Sequence, residues 1–295
     1  VNFWDLKIFF DKAPSLEYPT AKHPTNRGSN INKNVMANLQ YFFDIYIVQF
    51  GILILQFVVP ITSMFGLLYL WKNQPWKNLK IKKKYPDQKF IWHEIRLSFL
   101  TFFLLGFVIT IDTILLRQNF TRGYTDIAEY GWGYLVFSVI GLLVLYDAYF
   151  YFAHRIFHIH SVYTIVHRPH HHSPAITPFA AFSISALEAL VEFAFLPVMI
   201  FLIPLHPLAL ATFLTIYIFY NAYIHCGFEL LPKFWVTAIP CKYFNSAVHH
   251  SLHHSIPKYN FGLFTNIWDR LFGTQIADYE TQFLKVKEAV VVVED

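Results

Sequence analysis

Three histidine clusters in the second half of the chain carry its chemistry. His154-Arg-Ile-Phe-His158 comes first, then His167-Arg-Pro-His170-His171, then His250-Ser-Leu-His253-His254. Thirteen of the fifteen histidines fall between His154 and His254. Histidines three or four apart share one face of a helical turn, so two rings can reach one ion. Neutral imidazole suits iron, zinc, copper and nickel. His225 stands alone, but it follows an apolar segment that returns the chain to the clusters, and it joins them as a candidate. The metal-ligand and catalytic set is therefore His154, His158, His167, His170, His171, His225, His250, His253 and His254. An octahedral ion takes about six ligands and a tetrahedral zinc four. Nine imidazoles exceed one ion and fit two ions with open positions.

Other polar residues surround this set. His172 and His249 are either supporting donors or ligands in a register shifted by one. Asn221, one turn before His225, is placed to support that histidine or a water. Glu188 and Glu192 lie one turn apart near the start of an apolar stretch, where buried acids tend to be functional. They are expected to hydrogen-bond to ligand histidines. Soluble di-iron bundles use Glu-x-x-His, and none lies near these clusters; the nearby acids are Asp147, Glu188, Glu192 and Glu229. His23, His93, His160 and His206 read as ordinary surface or core histidines. Cys226 and Cys241 form no CxxC, which argues against a disulfide framework or a zinc ribbon.

The elements that hold these residues are membrane helices. The chain of 295 residues is 55% hydrophobic and 14% charged; a soluble domain carries about 25% charged residues. Residues 1–44 read as a polar, extended N-terminal arm that can end in a short interfacial helix. Residues 45–70, 97–116 and 132–153 read as three crossings, with Pro60 expected to kink the first. The third crossing delivers the chain to His154. Residues 186–224 are apolar again and broken by Pro204 and Pro207, as in a helical hairpin. The expectation is an all-α integral membrane fold of about four to five transmembrane helices, with a cytosolic helical cap carrying an all-histidine dinuclear metal site. In outline, 45–153 holds the crossings, 154–274 the histidine region and 275–295 a C-terminal tail. No cleavable signal peptide is expected at the start.

Charge gives the orientation. The segment 71–96 carries eight Lys/Arg and the segment 117–131 carries two. Basic loops face the cytoplasm, so 71–96 is expected there. Two crossings later His154 emerges on that side, and the hairpin returns His225 and the third cluster to it. Asn119-Phe-Thr121 is a glycosylation triplet on the opposite side. The basic segment also suits anionic lipid or an acidic electron carrier.

HRIFH, HRPHH and HSLHH, followed by YNFGLFTNIWDRLFGT, resemble the sterol desaturase and fatty acid hydroxylase superfamily of membrane di-iron enzymes. The resemblance runs from about Lys80 to Thr274. PAITPFAAF at 174–182, and Asn245 four residues before His249, resemble the C-5 sterol desaturase branch. Two departures stand out. Asn221-x-x-x-His225 occupies the place of a further HxxxH in the fatty acid 2-hydroxylase branch. Asn260-Phe261-Gly262 replaces the usual Asn-Tyr-Gly. The residues of 259–274 themselves read as structural, with Asn260 and Gly262 in a tight turn and Trp268 and Asp269 locking the cap.

The resemblance implies two iron ions, O2 as co-substrate and a lipid substrate, sterol-like first and fatty acyl second. Zinc would be a substitute ion. It leaves open hydroxylation or desaturation, and the endoplasmic reticulum if eukaryotic or the inner membrane if bacterial. It also implies a separate electron donor, such as cytochrome b5 or ferredoxin with its reductase, because no segment is left for a fused haem module. The hairpin and third crossing read first as bilayer-facing packing, with a lipid-accessible tunnel as the functional alternative. A zinc-dependent membrane hydrolase is a competing class, but it would carry His-Glu-x-x-His. A metal transporter is another, but its ligands would lie near the bilayer midplane. Nothing points to nucleic acid.

Overall fold

A computed structural model describes residues 27–288 of the chain. The N-terminal part of the expected arm, including His23, and the last seven residues lie outside the described residues. Four helices are long and apolar enough to cross a bilayer, and no strand occurs among the described residues. The protein is an all-α, multi-pass membrane protein.

The first helix, α1, spans Arg27–Phe65 and continues as a π-helical turn, Gly66–Leu70. It starts well before the expected crossing at 45, so residues 27–44 continue the crossing helix instead of forming an extended arm with a short separate helix at its end. The reason is in the sequence: Val35 to Leu70 forms one continuous apolar span, and helical hydrogen bonding propagates at little cost once nucleated. The second, α2, spans Gln88–Arg117 and the third, α3, Gly131–Phe157. Both run past the expected ends, and α3 carries His154 on its last turn. A short helix, α4, follows at His160–Tyr163.

The expected hairpin is built unequally. Its outward limb is two short helices, α5 (Ala186–Phe193) and α6 (Phe195–Leu202), interrupted at Ala194. Pro197 explains the break, because it lacks the N–H that would close the preceding turn. Ser185 caps α5 by accepting from the Glu188 N–H. The return limb is one helix, α7, Pro207–Ile224, started by Pro207 and capped by the His206 ring.

The cap contains α8 (Ala247–Ser255), α9 (Ile267–Leu271) and α10 (Tyr279–Glu288). Ser246 caps α8 by accepting from the His249 N–H.

Main-chain bonds fix which ends lie together. At the hairpin tip, the Arg122 N–H donates to the Ile200 carbonyl and the Tyr124 N–H to the Leu205 carbonyl. The tip therefore packs on the 118–130 loop. At the other end, the Ile81 N–H donates to the Gly227 carbonyl and the Glu229 N–H to the Leu79 carbonyl. The basic segment is thus on the same end as His225 and the cap, as the charge argument expects. Between the ends the core is aromatic: Phe57, Phe102 and Phe182 pack in sequence through tilted and edge-on contacts, and Tyr146, Phe213 and Tyr217 form a second knot.

Candidate metal centre

All nine candidate histidines converge at the cap end of the bundle. They form two groups, each with its ring nitrogens within 4.8 Å of one another. His154, His158, His167, His171 and His253 make the first; His170, His225, His250 and His254 make the second. The groups touch, with the rings of His171 and His254 at 4.4 Å.

Each element contributes through its periodicity. The end of α3 supplies His154 and His158. The turn after α4 supplies His167, and the 3-10 turn His170–His172 divides its histidines, sending His170 to one group and His171 to the other. His225 caps the C-terminus of α7. On α8, His250 and His254 sit four apart and share the second group, while His253 points to the first. His249 joins neither: its Nε2 lies 3.8 Å from Asp269. His172 also lies outside, packed on His93 at 4.8 Å.

The tautomers are set by the atoms behind the rings. The Nδ1 atoms of His154, His225 and His253 donate to the carbonyls of Phe261, Asn221 and Tyr259, at 2.9, 2.8 and 2.7 Å. A carbonyl can only accept, so each Nδ1 carries the proton and each Nε2 keeps its lone pair. The His167 Nδ1 lies 2.5 Å from the Glu188 carboxylate, the expected pairing. Yet the Nε2 atoms of His154 and His167 are 3.0 Å apart. Facing lone pairs repel at that distance unless a cation lies between them. The donor set therefore fits metal ions, with imidazole nitrogen as the whole of its chemistry.

Electrostatics keep the rings neutral. Burial pushes His158 down to about 2, with His253 adding to the effect. Burial also holds His225 at about 3 and His253 at about 4. His171 and His254 are lowered further, first by burial and then by neighbouring imidazoles. None competes for protons near neutrality.

The acids do different work. Glu192 accepts from the Tyr217 hydroxyl at 3.1 Å rather than from a histidine. Asn221 orients His225 through its main chain, while its side chain donates to the Ala181 carbonyl. Glu229 accepts from Tyr223 and from the N–H of Leu231 and Val248, pinning the start of α8. Asp147, on α3, accepts from the N–H groups of Phe264 and Thr265. Asp269 accepts from those of Phe261 and Gly262. Two carboxylates thus hold the strip whose carbonyls orient His154 and His253. A Cβ at Gly262 would meet the Thr265 carbonyl at 2.2 Å, so glycine is required there. Asn260 adopts φ 60° and bonds through both side-chain atoms, to the His249 carbonyl and the Ile276 N–H; Asn is among the few side chains that accept this conformation.

Beside the histidines lies a small cavity of about 10 Å³, roughly one water in size. Phe150, Ala181 and Ile184 form its apolar wall; Glu188, Glu192 and Asn221 face five of the histidines across it. Sequence reasoning missed the carbonyls behind the rings, since a main-chain acceptor has no residue type. It also missed Glu94, buried on α2, which accepts from Thr177 just after the second cluster; an acid inside an apolar helix was the available signal.

Comparison with known proteins gives the following. The sequence model of the fatty acid hydroxylase family matches residues 139–274. Lathosterol oxidase of Rattus norvegicus is 30% identical over 171 residues, 56% of this chain and 54% of that protein. A Delta(7)-sterol 5(6)-desaturase of Gibberella zeae is 32% identical over 155 residues, 52% of this chain and 46% of its own. That of Candida albicans is 30% identical over 62% of this chain and 46% of its own. The chain thus spans about half the length of the curated relatives it matches. No solved structure matches it.

Proposed function

We propose, from the match of residues 139–274 to the fatty acid hydroxylase family model and the likeness to relatives named as a lathosterol oxidase and Delta(7)-sterol 5(6)-desaturases, that the chain is a membrane di-iron, O2-dependent oxidoreductase acting on a lipid C–H bond. The observation that carries this reading is the convergence of nine histidines into two touching groups of ring nitrogens. The nine histidines would hold two iron ions, five on one and four on the other. When bound, such a pair supplies the oxidation of an unactivated C–H bond by O2.

The chain's own residues do the rest. The carbonyls of Phe261, Asn221 and Tyr259 and the Glu188 carboxylate aim the imidazoles. Phe150, Ala181 and Ile184 exclude water on the membrane side of the cavity and would bring an apolar carbon against the ions. Glu192 and Asn221 offer hydrogen bonds to a polar group there. Because the curated relatives are named for sterols, the substrate is a sterol or related lipid; a fatty acyl chain is the runner-up. The product is an alkene or an alcohol. The cavity holds about one water, so the lipid enters by displacing its apolar wall.

Electrons come from a separate donor, cytochrome b5 or ferredoxin with its reductase. The basic segment flanks the site, and complementary charge speeds encounter with an acidic partner. The histidine end faces the cytosol.

The test is mass spectrometry of sterols and fatty acids from cells expressing the protein, His170→Ala or His253→Ala, one ligand from each group. A new desaturated or hydroxylated lipid should appear with the parent protein and vanish with both variants. Product that survives both substitutions would remove the proposal. Zinc in a purified sample would not, because imidazole sites accept either ion.

A further inference from the structure

Outside the metal centre, a cleft of about 380 Å³ opens between the first turns of α2 and the His170–His172 turn. We infer that it binds the anionic headgroup of a membrane phospholipid. Its lining is Lys89, Phe90, Trp92, His93, Arg96 and His172.

Charge is the first argument. Lys89, His93 and Arg96 fall at i, i+4 and i+7, so they form one stripe along α2. Among the described residues neither Lys89 nor Arg96 has a carboxylate partner. Glu94, on the same turns, faces the core and accepts from Thr177. The His93 Nε2 is buried with no hydrogen-bond partner. The cleft therefore holds cations without a carboxylate partner, with the His93 ring in its wall. The positive end of α2 adds to the same field.

Depth is the second argument. The cleft sits at the end of a membrane-spanning helix and takes its Lys89 and Arg96 from the basic segment. Trp92 is 59% exposed there, and Trp71, at the same end of α1, is 48% exposed. Tryptophans of this kind mark the level of lipid headgroups. Phe90 and Trp92 would lie against glycerol and upper acyl carbons, an apolar contact that a free anion would leave unused. The volume is within the range of small-molecule sites, roughly 300–1,000 Å³.

A consequence follows for the neighbouring centre. His172 forms one wall of the cleft and directly follows His170 and His171. A bound headgroup would bridge α2 to the turn that serves both histidine groups, damping its motion without touching an ion. The inference needs only the membrane setting, and it stands whether or not the oxidative chemistry does.

The experiment uses the full chain in nanodiscs of phosphatidylcholine with increasing phosphatidylglycerol, read by native mass spectrometry for retained lipid. The parent protein should keep one phosphatidylglycerol in preference to phosphatidylcholine. Lys89→Gln with Arg96→Gln should weaken that retention about thirtyfold, since each basic side chain near an anionic surface contributes about one kcal/mol. Lys83→Gln with Lys84→Gln, which removes equal charge outside the cleft, should leave it unchanged. Lys89→Arg with Arg96→Lys should restore it and guards against misfolding. Equal retention by the Lys89/Arg96 variant, or no preference between the lipids, overturns the inference. So does inorganic phosphate that displaces the lipid at similar concentration, which would make the cleft a free-anion site. A variant that loses only donor-dependent turnover would assign the cleft to an acidic protein instead and likewise overturn it.

Discussion

At the scale of single residues, the two histidine groups are supported unequally. In the first, His154, His167 and His253 have Nδ1 held by a carbonyl or carboxylate. In the second, His225 is held by a carbonyl and His170 lies against the main chain of Ser183, while the Nδ1 atoms of His250 and His254 have no partner. Partners behind a ligand ring are worth roughly 10–100-fold in metal affinity. Chelator titration should therefore strip the ions in two steps, with the second group emptying first, as read by metal content of the dialysed protein. Glu188→Gln should weaken the first group by a similar factor and merge the steps. Acid offers another readout. Burial holds His225 and His249 at about 3 and His253 at about 4, whereas an unfolded histidine titrates near 6.5. The unfolded chain takes up protons first as pH falls. The metal-free fold should keep full stability above pH about 6.5 and lose it progressively toward pH about 3. A flat Tm between pH 7.5 and 5 in circular-dichroism melts of chelated protein would contradict this.

At the scale of elements, the cap strip 259–274 is held by carboxylates from two directions. Asp147 reaches it from α3, and Asp269 from within. Removing one acceptor leaves buried N–H groups unsatisfied at roughly 1–3 kcal/mol each. Asp269→Ala should lower thermal stability and release metal together, because the Phe261 carbonyl that aims His154 sits on that strip. Gly262→Ala should do the same, since its methyl would collide with the Thr265 carbonyl; a variant that melts within a degree of the parent would show the strip to be pliable. Sequence spacing brought out the histidine set and the structural reading of 259–274, because side-chain type and helical period survive in one dimension. It misplaced the start of α1, since a polar stretch says little about whether a neighbouring helix will extend into it. It missed the break at Ala194, where one proline outweighed apolar composition. The main-chain acceptors were hidden altogether, as any residue could supply them.

At the scale of the whole molecule, the basic segment and the histidine centre share one end, and the hairpin tip meets the 118–130 loop at the other. A membrane-impermeant thiol reagent should then label Lys83→Cys and Arg122→Cys from opposite faces of sealed vesicles, with both native cysteines replaced. Labelling of both from one face would break the topology. Charge reversal at Lys82, Lys83 and Lys84 should slow donor-dependent turnover and flatten its salt dependence.

The centre also has a history written into its connectivity. His154 and the Phe261 carbonyl that orients it are 107 positions apart, and His158 meets His253 across 95. When His154 leaves the ribosome, neither its orienting oxygen nor its later neighbours have been made. At translation rates of about 5–20 residues per second, the delay is roughly five to twenty seconds. Ion capture by the proposed centre would therefore come among the last events of biogenesis, after the hairpin and the 259–274 strip are in place. A nascent chain stalled anywhere before that strip would present imidazoles to the cell without a finished place to hold metal.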